Sequence, residues 1–136
     1  MTEARHVRVA KKWPSERWQE TWVPAVKADN VLYVSGITAT DIDGRPIGSG
    51  DFAAQAERCL DKLSDVLGRV GGSLQDVVKL TTYLSPNAGP DAAAQYFAVR
   101  ERYFGRDGPA STGVVVAALI RPEYLLEIEA IAHLPK

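Results

Sequence analysis

Near the C-terminus, the segment Leu125-Leu126-Glu127-Ile128-Glu129-Ala130-Ile131-Ala132 places two carboxylates inside an apolar run. In an extended strand side chains alternate between faces, so residues two apart share a face at roughly 7 Å. Glu127, Glu129 and Ile131 then point one way, while Leu126, Ile128, Ala130 and Ala132 point toward a core. A strand carboxylate buried in a cleft has a raised pKa, which suits it to proton transfer or to holding a water. The plainer alternative is a pair that faces water or a basic residue at a subunit contact. A glycosidase pair fits poorly, because same-face neighbours do not flank a sugar bond from two sides.

Other residues offer weaker chemistry. GPASTGVVV (108–116) opens a strand with small and hydroxyl residues. It reads either as a turn or as a pocket floor where Gly113 lets the backbone approach a ligand. Arg121, in the loop IRPE, is either a solvated charge or a bidentate clamp for a carboxylate. Trp13, Trp18 and Trp22 fall within ten residues of one another. They either pack on the body of the protein or cover a cleft for an apolar or planar ligand. Arg5, Arg8, Lys11, Lys12 and Arg17 make the N-terminal segment basic, but no glycine-rich phosphate loop accompanies them.

Composition narrows the classes. The formal net charge of the 136 residues is -1, which gives no general reason to bind nucleic acid or an anionic membrane. One cysteine, Cys59, rules out an internal disulfide, and two histidines argue against a His-rich metal site. No run approaches a membrane span and no signal-peptide pattern opens the chain. These features predict a cytoplasmic domain that needs no metal or organic cofactor.

The elements that must position Glu127 follow from the periodicities. HVRVA (6–10), TWVPAV (21–26) and NVLYVSG (30–36) read as strands, with KKWPSERWQE (11–20) a polar loop between the first two. Asp43-Gly44 marks a hairpin tip. From Asp51 the period becomes helical, with Phe52, Ala56, Cys59, Leu60, Leu63, Leu67 and Val70 on one stripe, and Gly71-Gly72 ends the helix. Cys59 on that stripe reads as a packed core thiol. DVVKLTTYL (76–84) is a strand and DAAAQYFAVRERYF (91–104) a second helix. TGVVVAAL (112–119) and YLLEIEAIA (124–132) are the last strands. The order β-β-β-α-β-α-β-β describes an α+β domain with helices on one sheet face. The other face is too apolar to stay wet, which predicts a homo-oligomer.

The pieces NVLYVSG, AAQAERCLDKLSDVLGRVGGSLQDVVKLTTYL and PAST-GVVVAAL-IRPEYL-LEIEAIA resemble the RidA/YjgF family, also called endoribonuclease L-PSP. The resemblance runs from about Trp22 to the C-terminus, with 1–21 an N-terminal strand and loop of a single domain spanning 1–136. It implies a fold like chorismate mutase of the Bacillus type, a homotrimeric barrel with clefts between subunits, and small-molecule substrates. In deaminating members the first glutamate of the last strand positions or activates water, which is Glu127 here. The resemblance places Trp22, Ser35, Gly36, Phe97 and Gly113 at the same site. It also exposes a departure: imine-hydrolysing members carry an arginine after Pro-Ala that binds the substrate carboxylate, whereas this chain has Ser111. Serine cannot form the guanidinium fork. Arg121 is a candidate replacement.

Three functions follow as expectations. In the first, Glu127 handles water or a proton in imine or enamine hydrolysis, or in tautomerisation of a less anionic metabolite, aromatic ones included. Standard 2-aminoacrylate deamination is disfavoured by Ser111. The second is a non-catalytic small-molecule-binding trimer, and the pKa of Glu127 separates it from the first. The third, ribonuclease activity, is disfavoured by the charge balance.

Overall fold

A computed structural model describes residues 6–18 and 20–136. Arg5, one of the basic N-terminal residues, lies outside them. Six strands and two helices follow the expected order: β1 (His6–Arg8), β2 (Ala25–Ala28), β3 (Val31–Ile37), α1 (Phe52–Gly68), β4 (Val77–Leu84), α2 (Ala92–Phe104), β5 (Ala110–Val115) and β6 (Leu126–His133). They form one mixed sheet with strand order β1-β2-β3-β6-β4-β5. Among the described residues only the β4–β5 pair is parallel, and α2 makes its crossover.

Local chemistry accounts for the boundaries. The expected strand at 21–26 begins instead at Ala25, because Pro24 has no N–H to give a ladder. Asp29 and Asn30 form the two-residue loop between β2 and β3, with Asp29 at φ 52°. The Asp51 carboxylate caps α1 by accepting from the Ala54 N–H at 3.1 Å. Gly71 takes φ 77° and the Gly72 N–H closes on the Leu67 carbonyl at 2.9 Å, which ends α1 as the glycine pair predicts. Strand β5 runs 110–115 rather than 112–119, and all six of its residues are exposed.

Both helices pack on one face of the sheet. Along β6, Leu126, Ile128, Ala130 and Ala132 are buried while Glu129 and His133 are exposed, the alternation expected of a half-covered strand. The core joins these residues to Leu60, Leu63 and Leu67 of α1 and to Val99 and Phe104 of α2. Cys59 is fully buried there, and burial pushes its thiol up to about 12.

Buried polar groups inside this core include Thr82 and Gln55. Gln55 of α1 is 0% exposed. Its amide nitrogen donates to the carbonyls of Glu123 at 2.9 Å and Gly48 at 3.3 Å, and its oxygen accepts from the Leu125 N–H at 2.8 Å. All three contacts tie α1 to flanking chain, two of them to the residues that lead into β6. Gln55→Leu would orphan the Leu125 N–H and the Glu123 carbonyl. We expect a loss of about 3 kcal/mol, seen as a lower urea midpoint with an unchanged slope.

Candidate active site

Glu127 is where β6 passes the irregular stretch of β3. The register of the β3–β6 pair shifts between Val34 and Ile37, which frees Ser35 and Gly36 from regular pairing. The Glu127 carboxylate lies against Gly36: a Cβ built there would stand 2.2 Å from Glu127 Oε1. Gly36 is therefore required for closeness rather than for backbone freedom. Ser35 is held beside it. Its hydroxyl donates to the Val23 carbonyl at 2.5 Å, and its N–H to the Pro24 carbonyl at 2.9 Å.

A cavity of about 710 Å³ opens over these residues. Trp18, Trp22 and Tyr124 supply aromatic walls, and Lys62 and Arg121 supply positive charge. The Trp22 Nε1–H donates to the Trp18 carbonyl at 2.8 Å. The loop bearing these tryptophans is fastened to α1 by Glu16, which is 7% exposed. Its carboxylate takes Arg69 Nη2 at 2.7 Å, Arg69 Nη1 at 3.0 Å and the Lys12 N–H at 2.6 Å. Burial pushes the Glu16 pKa up, but the Arg69 and backbone hydrogen bonds outweigh it and hold the group ionised. Trp13 packs against this network under the Arg69 guanidinium, 5.1 Å from the ring centroid. The three tryptophans thus divide: Trp13 braces the body, and Trp18 and Trp22 face the cavity.

Glu127 makes no hydrogen bond among the described residues. Burial is the main cause that raises its pKa, and the charge of Glu129 adds to it. Glu129 is exposed and accepts from the Tyr83 hydroxyl at 2.7 Å. The two glutamates of one strand face therefore have different environments. One is partnered in the open, the other is half-buried and unpartnered. Arg121 lines the Glu127 cavity but turns toward Glu123, with Nε 3.4 Å from its carboxylate.

The remaining expected residues are elsewhere. Phe97, Ser111 and Gly113 line a second cavity of about 790 Å³ between α2 and β5, which shares no lining residue with the first. Within one chain the eight expected residues form two groups. Two cations were not anticipated. Lys62 of α1 is half-buried at the first cavity, donating to the Thr38 carbonyl at 2.8 Å and Thr40 Oγ1 at 2.7 Å. Burial lowers its pKa. Arg100 of α2 donates from Nη1 to Ser111 Oγ at 2.6 Å. In sequence the only hint of Arg100 was its four-residue step from Tyr96; Lys62 adjoins the apolar stripe without signal. Among the described residues, no group of three or more His, Cys, Asp or Glu side chains is arranged to hold a metal, and no helix is long and apolar enough to cross a membrane.

This architecture is that of a known class. The family described as Endoribonuclease L-PSP matches residues 16–134. The chain is 39% identical over 112 residues to the 3-aminoacrylate deaminase RutC of Acinetobacter baylyi, covering 82% of this chain and 86% of that protein. The fold matches the crystal structure of RidA from the Antarctic bacterium Psychrobacter, with TM-score 0.75 and 32% identity, covering 84% of this chain and 89% of that one. It also matches the Mycobacterium tuberculosis member of the YjgF/YER057c/UK114 family, with TM-score 0.77 and 27% identity, covering 95% and 99%. The chain belongs to the RidA/YjgF family.

The raised pKa of Glu127 has a stability consequence. Its folded pKa lies above the unfolded value of about 4.3, so the ionised carboxylate opposes folding at neutral pH. That cost disappears as pH falls below the unfolded value. Glu127→Gln is therefore expected to raise the melting temperature at pH 8 and to converge on the wild type near pH 4, measured by thermal denaturation across pH.

Proposed function

We propose that this chain is a small-molecule enzyme in which Glu127 handles a water or a proton, and that its reaction is hydrolysis of an imine or enamine or the related tautomerisation. The observation that carries this reading is the Glu127 carboxylate itself. It is half-buried, unpartnered among the described residues, pressed on Gly36 and open to an aromatic-walled cavity. Such a group is a poised general base. The same observation favours chemistry over a non-catalytic binding role. The likeness to a 3-aminoacrylate deaminase supports the reaction class.

In hydrolysis, Glu127 accepts a proton from water as the water oxygen bonds to the imine carbon. The C=N electron pair moves to nitrogen, which takes up a proton. The resulting carbinolamine expels ammonia and leaves a carbonyl product. In tautomerisation the same carboxylate moves a proton between carbon and nitrogen.

The two groups of site residues support a homotrimer with clefts between subunits. Trp22, Ser35, Gly36, Arg121 and Glu127 of one copy would face Phe97, Ser111 and Gly113 of another. Exposed Phe97, Val114, Val115 and Ile120 (66%, 42%, 68% and 74%) give that contact its apolar area. Trp22 and Phe97 would then wall the cleft for an apolar or aromatic metabolite, and 2-aminoacrylate is not the expected preferred substrate. We place the enzyme in the cytoplasm, acting without nucleic acid, membrane or added cofactor.

The test is hydrolysis of imines generated in situ by an amino-acid oxidase. Aromatic amino-acid imines are expected to turn over, and Glu127→Gln to lose at least about a hundredfold in rate while keeping its oligomeric state. Unchanged turnover in Glu127→Gln would remove the residue from the mechanism. Gly36→Ala is expected to cost activity comparably by displacing the Glu127 carboxylate, with little change in melting temperature.

A further inference from the structure

The second cavity is lined by Arg100, a cation with no acidic partner among the described residues. Arg100 follows Tyr96 by one turn on α2, so both side chains share a helix face. Tyr96 is 5% exposed and fixed. Its hydroxyl shares a 2.7 Å hydrogen bond with Thr82 Oγ1, and its ring meets Phe52 edge-on at 6.1 Å. The Arg100 guanidinium lies over this ring, 5.4 Å from its centroid, and reaches Ser111 Oγ at 2.6 Å. Among the described residues no carboxylate stands within ion-pair distance of Arg100. The neighbouring Glu101 pairs instead with Arg106, at 3.5 Å and in the open. A Cβ on Gly113 would meet nothing within 4 Å, and one on Gly108 would come no closer than 3.9 Å to Arg100 Nη2. The guanidinium is therefore both oriented and reachable.

We propose that Arg100 is a specificity-determining residue, whose guanidinium, braced by Tyr96 and Ser111, binds the carboxylate of a monoanionic substrate with an aromatic body lying against Phe97. The chemistry selects this class. A guanidinium presents five donors in a fixed plane, and among the described residues only one is engaged. Ser111 Oγ accepts from Arg100, so its own hydrogen is free to donate to a carboxylate oxygen. Arg106 and Glu101, which also line this cavity, pair with each other, which leaves Arg100 to balance one negative charge. Phe97, at 66% exposure, offers an apolar surface beside it. The less anionic substrate expected from Ser111 alone gives way to a carboxylate, with the charge supplied from α2. The inference rests on the proposed cleft for its place in catalysis, but its binding test does not depend on turnover.

Benzoate and its neutral isostere benzamide are the probes, titrated by calorimetry at millimolar concentration with wild type, Arg100→Met and Arg100→Lys. The wild type is expected to prefer benzoate by about tenfold or more, since a shielded charge-assisted pair contributes at least that much. Arg100→Met is expected to abolish the preference while still binding benzamide, and Arg100→Lys to retain part of it. In wild-type protein the side-chain Nε–H resonance of Arg100 is expected to shift with benzoate and not with benzamide, a readout that holds even if the variants fold poorly. No benzoate preference in the wild type, or a preference that survives in Arg100→Met, overturns the proposal. A preference retained in Glu127→Gln supports it, and so does a preference in a wild type that turns over no imine; the latter would count against the Glu127 chemistry alone.

Discussion

The structure depends on how one buried amide is satisfied. Gln55 lies in the first turn of α1, on its apolar face, where an unpartnered polar group costs about 1–3 kcal/mol. Its three hydrogen bonds go to Gly48, Glu123 and Leu125. Those bonds set where the chain enters β6, and β6 lies between β3 and β4 in the sheet. The strand's phase then decides which of its residues face the helices. A one-residue slip would turn Glu127 into the core and Ile128 out of it. The amide thus fixes a register, and the register fixes the carboxylate.

Glu127 and Glu129 have the same side chain on the same strand face, yet their surroundings separate them. Glu129 has the Tyr83 hydroxyl and open solvent. Glu127 has a glycine without a Cβ on one side and a cavity of about 710 Å³ on the other. Desolvation without a hydrogen-bond partner raises the pKa of Glu127. Position 111 follows the same logic in reverse. Serine brings no charge of its own, but β5 sets it beside a guanidinium from α2.

Much of this was legible in the chain. The element order, the helix-ending Gly71-Gly72 and the core thiol Cys59 follow from local rules, because glycine caps and apolar stripes act over a few residues. The alternation in LLEIEAIA placed Glu127 on the face opposite Leu126 and Ile128. Boundaries were less legible: β2 starts after Pro24, and β5 occupies 110–115 because its pairing with β4, not its composition, sets its span. The partition of Trp13 from Trp18 and Trp22 depended on Glu16 meeting Arg69, 53 residues away.

The sequence by itself determined the family, the α+β order and the strand that carries Glu127, since periodicity and motif residues are properties of neighbours along the chain. The tertiary structure decided the rest. It put a glycine of β3 under a carboxylate of β6, half-buried Lys62 at the same cavity, and brought Arg100 onto Ser111. It also split the expected site residues between two cavities of a single chain. Each of these outcomes is a meeting of side chains from elements distant in sequence, and burial, register and charge compensation arise only when those elements pack.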